Sequence, residues 1–140
     1  MIARLTMTDS EARAAYKFIK DNLKTHAKFA CYGAGDIKES YNGTGSDSTP
    51  SVIRRILTRY TRFAKEAVAE HDLTWWLVEE GVISKTREEF LASNKRLKDN
   101  MRKCAKLRYH WSNPYRWWCH AKGWIAERAC NKYGWESWVA

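Results

Sequence analysis

The stretch from residue 86 to residue 134, TREEFLASNKRLKDNMRKCAKLRYHWSNPYRWWCHAKGWIAERACNKYG, decides the fold of this chain. Thr86 and Glu89 have the Thr-x-x-Glu spacing of a capping box, in which the two side chains satisfy backbone N–H groups at a helix N-terminus. Apolar side chains then recur every three or four residues as far as Tyr109, which is the helical period. Asn113-Pro114 starts the next helix, because proline is favoured at the first helical position. The stretch predicts two long consecutive helices.

The rest of the chain carries further helical signals. Residues 7–22 begin with a second capping box and continue with apolar residues at helical spacing. Thr49-Pro50 opens an amphipathic helix that runs to about residue 68, and a shorter helix from about residue 74 to residue 80 stops at Gly81. We therefore predict an all-α, single-domain bundle of about five helices over residues 1–140. A minor β element near the N-terminus is the only strand expected, with residues 1–7 and 27–32 as its candidates.

A predicted surface loop separates the first helix from the second. Residues 33–48 contain four of the seven glycines together with Asn, Asp and Ser. Such residues favour turns and loops. A loop of this length inside a compact domain is usually functional or mobile.

A local pattern in the middle of the chain resembles a known module. Leu77-Val78-Glu79-Glu80-Gly81-Val82-Ile83-Ser84, followed by Glu88-Glu89-Phe90 and Leu97, is similar to the SHOCT pattern of small bacterial helical modules. The resemblance covers about 20 residues. It implies a helical hairpin and assigns no function.

The C-terminal third of the chain holds nearly all of its net charge. Residues 95–140 contain eleven Lys or Arg and three acidic residues, which gives +8 of the total +9. The same residues contain six of the eight tryptophans. A basic region rich in aromatic side chains favours an anionic partner, most often nucleic acid.

One ridge of the 86–109 helix carries closely spaced basic side chains. Like charges at this spacing repel one another by a few tenths of a kcal/mol per pair, so folding alone does not account for them. The predicted phosphate contacts on this ridge are Lys95, Lys98, Arg102, Lys103 and Lys106. A second basic stripe, on the helix predicted from Thr49-Pro50 to about residue 68, supports the first and consists of Arg55, Arg59 and Arg62. The alternative is a solvated helix face without a ligand, which is what runs of charge usually are.

The tryptophans of the last third are expected to have two roles. Trp117, Trp118 and Trp124 recur at helical spacing, which predicts core residues in a helix buried between neighbours. Trp135 and Trp138 lie beyond Gly134 and are the predicted partner-binding contacts. The alternative for these last two is that they fold back and cover the helix ends.

Neither a metal site nor a catalytic site is predicted. The residue types that bind zinc are concentrated within 27 residues, as Cys104, His110, Cys119, His120 and Cys130. Their spacing lacks the Cys-x-x-Cys pairs of structural zinc modules. Glu70-His71-Asp72 places acids beside a histidine, but adjacency in sequence does not orient a base towards a nucleophile. The four cysteines are expected to be reduced, because no secretion signal precedes them.

Three functional hypotheses follow, none of which requires a cofactor. The first is a non-enzymatic nucleic-acid-binding accessory protein that uses the basic helix face on the phosphate backbone of DNA or RNA. The second is a phage or mobile-element protein that inhibits a host protein, such as a polymerase or nuclease, by docking on its acidic surface. The third is a small hydrolase or transferase that uses the glycine-rich loop. No apolar stretch approaches the roughly 20 residues that cross a bilayer. We therefore expect a cytoplasmic protein without a membrane partner.

Overall fold

The computed structural model describes residues 7–41 and 59–140, which form an all-α, single-domain bundle. The helices within these ranges are α1 (Asp9–Asn22), α2 (Ala34–Ser40), α3 (Lys65–Glu79), α4 (Arg87–Arg108), α5 (Pro114–Tyr133) and α6 (Trp135–Val139). Two short 3-10 helices occupy Ala27–Cys31 and Arg62–Ala64. No strand occurs in the described part of the chain.

The predicted N-termini of α1, α4 and α5 are confirmed by their capping hydrogen bonds. In the capping box of α1, Thr8 Oγ1 accepts from the Glu11 N–H at 3.1 Å, and Glu11 Oε1 accepts from the Thr8 N–H at 3.3 Å. Thr86 Oγ1 accepts from the Glu89 N–H at 3.2 Å. Asn113 Oδ1 accepts from the Tyr115 N–H at 2.9 Å at the start of α5. Local sequence signals therefore placed these helix starts correctly.

The prediction of a loop over residues 33–48 is wrong for residues 34–40, which form α2. The Gly33 N–H donates to Asp36 Oδ2 at 2.9 Å and so begins the helix. Ile37 is fully buried and anchors the helix against the core. Glycine lowers helix propensity, but the capping hydrogen bond to Asp36 and the burial of Ile37 outweigh this effect here. Residues 42–48 of the predicted loop lie outside the described residues.

The predicted strand over residues 27–32 is also wrong, because Ala27–Cys31 is a 3-10 helix. His26 begins it, with Nδ1 accepting from the Lys28 N–H at 3.0 Å. Phe29 is buried and stacks on Tyr16 of α1 with ring centroids 5.5 Å apart. The other predicted strand, residues 1–7, lies outside the described residues except for Met7.

Helix α3 joins two segments that the sequence suggested were separate helices. Lys65–Glu79 is continuous through residues 68–74, where no glycine or proline interrupts it. The start predicted at Thr49-Pro50 lies outside the described residues. The predicted stop at Gly81 is confirmed, since this residue has a φ of +77°, a conformation that glycine adopts without a steric penalty. Ile83 is buried beyond the turn, so α3 and α4 form the hairpin implied by the SHOCT resemblance.

Helix α4 lies between α3 on one side and α5 on the other, while α1 and α2 pack on α3. Large side chains of the core include Ile19, Ile37, Leu73, Leu77, Phe90, Met101 and Trp138. Asn100 of α4 ties the end of α1 to this core, because its side chain accepts from the Lys24 N–H and donates to the Lys24 carbonyl, both at 2.8 Å. None of the described helices combines the length and apolarity needed to span a bilayer.

Helix α5 is an edge helix, and the prediction that it is buried between neighbours is wrong. Its buried residues are Cys119, Lys122 and Gly123. Gly123 lies against Arg102 and Lys98 of α4, and Lys122 lies over the rings of Tyr60 and Phe63. The exposed large side chains of α5 include Trp117, Trp118, Trp124 and Ile125. Its apolar residues encircle the helix, but only one stripe of them reaches the core.

Candidate functional site

The exposed side of α5 presents large aromatic side chains. Trp117 is 57% exposed and Trp124 is 47% exposed, and they lie seven residues apart on one face of the helix. Trp118 and Ile125 lie beside them and are exposed to a similar degree. The prediction that Trp117, Trp118 and Trp124 are core residues is therefore wrong. Large exposed aromatic side chains on one helix make this side of α5 a candidate interaction site.

Guanidinium groups from two helices lie against these indoles. Arg102 of α4 lies over the Trp124 ring at 5.4 Å, and Arg116 of α5 lies over the Trp117 ring at 5.5 Å. His120 lies between the two arginines and contacts Trp117 at a centroid distance of 5.5 Å. Arg102, Arg116, Trp117, His120 and Trp124 form what we call the cation-tryptophan face.

Gly123 allows the two helices of this face to approach closely. A Cβ atom at position 123 would lie 3.2 Å from Arg102 Cγ and 3.2 Å from the Lys98 carbonyl oxygen. Both distances are shorter than ordinary van der Waals contact. The missing side chain therefore gives Arg102 room to cross α5 and reach His120.

We expect Gly123→Ala to be less stable than Gly35→Ala by about 1–2 kcal/mol, since extra atoms in a packed interface cost about that much. Both residues lie in helices, so alanine brings a similar gain in helix propensity. Only Gly123 has neighbours within 4 Å of the added atom. Urea unfolding of both variants measures the difference. Equal stabilities would contradict the proposed close approach.

The five basic side chains predicted to form one ridge on α4 differ in their exposure to solvent. Lys98 is only 8% exposed, and its ammonium lies 4.0 Å from the Trp124 ring and 3.6 Å from Glu127 Oε1. Its charge is used within the α4–α5 interface, so the prediction that Lys98 contacts phosphate is not retained. Lys95 and Lys106 are exposed, and Arg102 and Lys103 are half-buried. The ridge is therefore open to a partner at four of its five predicted positions.

The second predicted stripe is only partly described. Arg59 and Arg62 are exposed, whereas Arg55 lies outside the described residues. Arg62 lies in the 3-10 helix that precedes α3. The described part of the chain therefore leaves untested whether the two stripes form one surface.

Trp135 and Trp138 are packed against the bundle and cannot anchor a partner in this conformation. Trp138 is 2% exposed, and its ring centroid lies 5.3 Å from that of Trp75 and 5.6 Å from that of Phe90. Trp135 is partly buried, with its centroid 5.3 Å from that of Phe90. The structure shows the alternative, that they fold back on the helices, so their predicted role in partner binding is not retained.

A lysine on the inner side of α5 organises another group of aromatic rings. The Lys122 ammonium lies 4.8 Å from the ring centroid of Tyr60, 5.3 Å from Tyr115 and 5.6 Å from both Phe63 and Trp118. The residue is 6% exposed. A cation over aromatic faces is stabilised by about 0.5–2 kcal/mol. Tyr115 and Trp118 of α5 therefore contact an internal cation together with Tyr60 and Phe63.

A cavity of about 310 Å³ adjoins the cation-tryptophan face at Arg102. It is lined by Asn22, Lys24, Asp99, Asn100, Arg102 and Lys103. Asp99 is already paired with Lys24 at 3.1 Å, so the lining is positive on balance. The positive surface thus continues from α5 across α4 to the end of α1.

The histidines and cysteines form no obvious catalytic or metal centre. Burial lowers the pKa of His71 to about 4, and its Nε2 lies 3.0 Å from Asn94 Oδ1, so it is a neutral partner in an internal hydrogen bond. The four cysteines are free thiols. Within residues 7–41 and 59–140, no three His, Cys, Asp or Glu side chains are grouped to hold a metal ion.

Sequence reasoning missed Arg116, His120, Trp117 and Trp124 as members of one site. Arg116 and His120 lie four residues apart and Trp117 and Trp124 lie seven apart, so each pair shares a side of α5. Gly123 in the middle of a long helix was the remaining signal, because such a glycine often marks close backbone approach. Only the position of α4 adds Arg102 to the group.

Comparisons with known proteins give no relative: no family model matches the chain, and searches of curated proteins and of solved structures found no match. The SHOCT resemblance is thus limited to the helical hairpin described above. The proposals below depend on the geometry of this chain alone.

Proposed function

We propose that the protein is a non-enzymatic nucleic-acid-binding protein that binds single strands through the cation-tryptophan face. The observation that most directly supports this proposal is the pairing of half-exposed indoles with guanidinium groups. Trp117 is paired with Arg116, and Trp124 with Arg102. An indole offers a surface on which a base can stack, and a guanidinium offers a positive charge for a phosphate. A nucleotide contains both a base and a phosphate.

The aromatic part of the face favours unpaired bases. The flat face of a base is accessible in a single strand, whereas both faces are stacked within a duplex. Stacking of a base on an aromatic side chain contributes about 1–3 kcal/mol and tolerates any sequence. We therefore expect little base specificity and a clear preference for single strands.

Exposed cations around the cation-tryptophan face supply further contacts to phosphate. Lys95 and Lys106 are exposed on α4, and Arg128 and Lys132 are exposed on the side of α5 that carries Trp117 and Trp124. Cations at this density attract a polyanion and displace its condensed counterions on binding. The net charge of +9 acts in the same direction at longer range.

An acidic protein surface remains the alternative partner, because it would be attracted by the same cations. The aromatic anchors predicted for that partner, Trp135 and Trp138, are packed in the bundle. Trp117 and Trp124 would have to be the anchors for a protein partner instead. We therefore place nucleic acid first.

Trp117→Ala and Trp124→Ala are each expected to weaken binding of an oligothymidylate by roughly 10- to 100-fold, the loss of one stacked base. Arg116→Gln is expected to reduce the log–log salt slope by about 0.7, the contribution of one phosphate contact on a single strand. Fluorescence anisotropy of a labelled oligonucleotide at two salt concentrations measures both effects.

Lys17→Gln is the matched control for Arg116→Gln. Lys17 is exposed on α1, opposite the buried Ala12, Ala15 and Ile19, and its replacement removes the same unit of charge. It should leave the affinity within about twofold, as expected for a screened charge that touches no ligand. The proposal is wrong if wild-type protein binds no single strand, or binds duplex and single strand equally well. It also fails if the two tryptophan variants bind like wild type.

A further inference from the structure

Two arginines converge on one imidazole at the centre of the cation-tryptophan face. Arg102 Nε donates to His120 Nδ1 at 3.3 Å. Arg116 Nε lies 3.5 Å from His120 Nε2 on the other side of the ring. Arg102 comes from α4, whereas Arg116 is four residues before His120 on α5, so the group forms only when the helices pack. All three side chains are partly accessible to solvent.

The hydrogen-bonding capacity of this group is unbalanced. A neutral imidazole has one N–H and one lone pair, and a guanidinium has only donors. His120 can therefore accept from one arginine, while its own N–H faces the N–H of the other. No carboxylate in the described residues forms an ion pair with Arg102 or Arg116. Within residues 7–41 and 59–140, the group therefore has several donors and no carboxylate paired with its two guanidinium groups.

The charges around His120 are positive on both sides. Partial burial lowers the pKa of His120, and the charges of Arg102 and Arg116 lower it further. Lys98 of α4 is paired with Glu127 of α5, and Arg102 and Arg116 are the charges that act on His120. In the free protein both effects favour the neutral form of the imidazole.

We propose that Arg102, His120 and Arg116 form a phosphate-binding site whose occupation is coupled to the uptake of one proton by His120. The proposal deepens the function proposed above and rests on it for the identity of the ligand. A phosphate oxyanion between the three side chains accepts from both guanidinium groups and from the imidazole. Its negative charge offsets the positive charges of Arg102 and Arg116 at His120, which takes a proton from solvent and becomes a third cation in the site.

The surroundings of the site favour a phosphate that belongs to a nucleotide. The indoles of Trp117 and Trp124 flank the three side chains, so a base next to the bound phosphate meets an aromatic surface. Planar guanidinium groups bind phosphate oxygens in pairs, which adds geometric selectivity for phosphate over halide ions. The phosphate can be a terminal monoester or an internal diester of the strand, and the experiment below separates the two.

The first measurement is the pKa of the His120 imidazole by NMR, with and without inorganic phosphate at constant ionic strength. We expect phosphate to raise this pKa, and we expect Arg102→Gln and Arg116→Gln to abolish the change. His110 is the internal control, because it is exposed and its Nδ1 lies 2.7 Å from Ser112 Oγ, away from the two arginines. An unchanged His120 pKa, or an equal change at His110, would overturn the proposal.

The second measurement is the affinity for oligothymidylate at about pH 8 and about pH 5.5, which spans the ordinary titration range of histidine. Wild type should bind roughly tenfold more tightly at the lower pH, the effect of binding that raises the His120 pKa by about one unit, and His120→Gln should lose this dependence. His110→Gln should retain it. A 5′-phosphorylated strand that binds more tightly than its hydroxyl counterpart, with an excess lost in Arg116→Gln, identifies a terminal phosphate. Equal affinities identify an internal phosphate.

The two measurements distinguish failure of the phosphate-binding site from failure of the proposed function. A shifted His120 pKa with inorganic phosphate but no strand binding would leave the phosphate site in place and reject the proposed function. Strand binding with the same pH dependence in wild type and His120→Gln would support the function and reject the proton-coupled site.

Discussion

Replacing Trp138 by alanine is expected to lower the free energy of unfolding by about 3–5 kcal/mol, the usual cost of removing a buried tryptophan. Trp138 lies two residues from the last residue of the chain, where side chains are often loosely held. It is nevertheless 2% exposed and has edge-on contact with Trp75, at a centroid distance of 5.3 Å, and contact with Phe90. Its loss would leave a cavity between α3, α4 and α6.

Trp111→Ala is the matched control for this prediction. Trp111 is 67% exposed, so the same substitution removes a similar number of atoms from the surface and should change stability by no more than about 0.5 kcal/mol. Urea unfolding followed by far-UV circular dichroism compares the two variants without relying on tryptophan fluorescence. If the two variants lose the same stability, Trp138 is not a core residue.

Arg96→Met is expected to destabilise the protein by about 3–5 kcal/mol near pH 7, because it leaves the buried carboxylate of Glu70 without its partner. Arg96 Nε lies 3.2 Å from Glu70 Oε1, and Arg96 Nη2 donates to Thr74 Oγ1 at 3.3 Å. Glu70 is almost fully buried in α3. Lys95→Met is the control, since Lys95 is the exposed neighbour of Arg96 on α4 and its replacement should have little effect.

The cost of Arg96→Met should depend on pH in a defined direction. Burial raises the pKa of Glu70 in the folded protein, while the charge of Arg96 and its hydrogen bond lower it. Removing Arg96 therefore raises this pKa further. A carboxyl with a raised folded pKa contributes stability that is present below its unfolded pKa and is lost as the pH rises through the folded value. We expect Arg96→Met to cost less near pH 4 than near pH 7.

A double variant separates the charge from the packing of this pair. Glu70→Gln combined with Arg96→Met removes the buried charge and should recover most of the stability lost in Arg96→Met alone. Urea unfolding at the two pH values measures the cycle. The interpretation is wrong if Arg96→Met costs the same at both pH values and the second substitution restores nothing.

The helices themselves were largely predictable from local sequence. Thr8, Thr86 and Asn113 cap the helices that their spacing indicated, and Gly81 ends α3 where its freedom of φ is needed. The errors occurred where a single buried residue decided the structure. Ile37 stabilises a helix in a glycine-rich segment, and Phe29 is buried within a 3-10 turn. Burial of this kind depends on partners that are distant in the sequence.

The candidate site was less predictable than the fold. Arg102 was identified from its place on a basic ridge, whereas Lys98, from the same ridge, turned inward to Trp124 and Glu127. Trp117 and Trp124 were assigned to the core, and Trp135 and Trp138 to a partner. The structure instead shows Trp117 and Trp124 half-exposed and Trp135 and Trp138 packed against the bundle. Helical periodicity gives the direction of a side chain from its helix axis, whereas burial requires a neighbour in that direction.

The sequence by itself determined the fold class, most helix boundaries and the basic, aromatic character of the last third of the chain. These properties depend on dihedral preferences, capping hydrogen bonds and charge, all of which act over a few residues. The tertiary structure alone decided which tryptophans are exposed and that Arg102 meets Arg116 and His120. These properties require α4 and α5 to come together at Gly123, and the packing of two helices is fixed by the whole core.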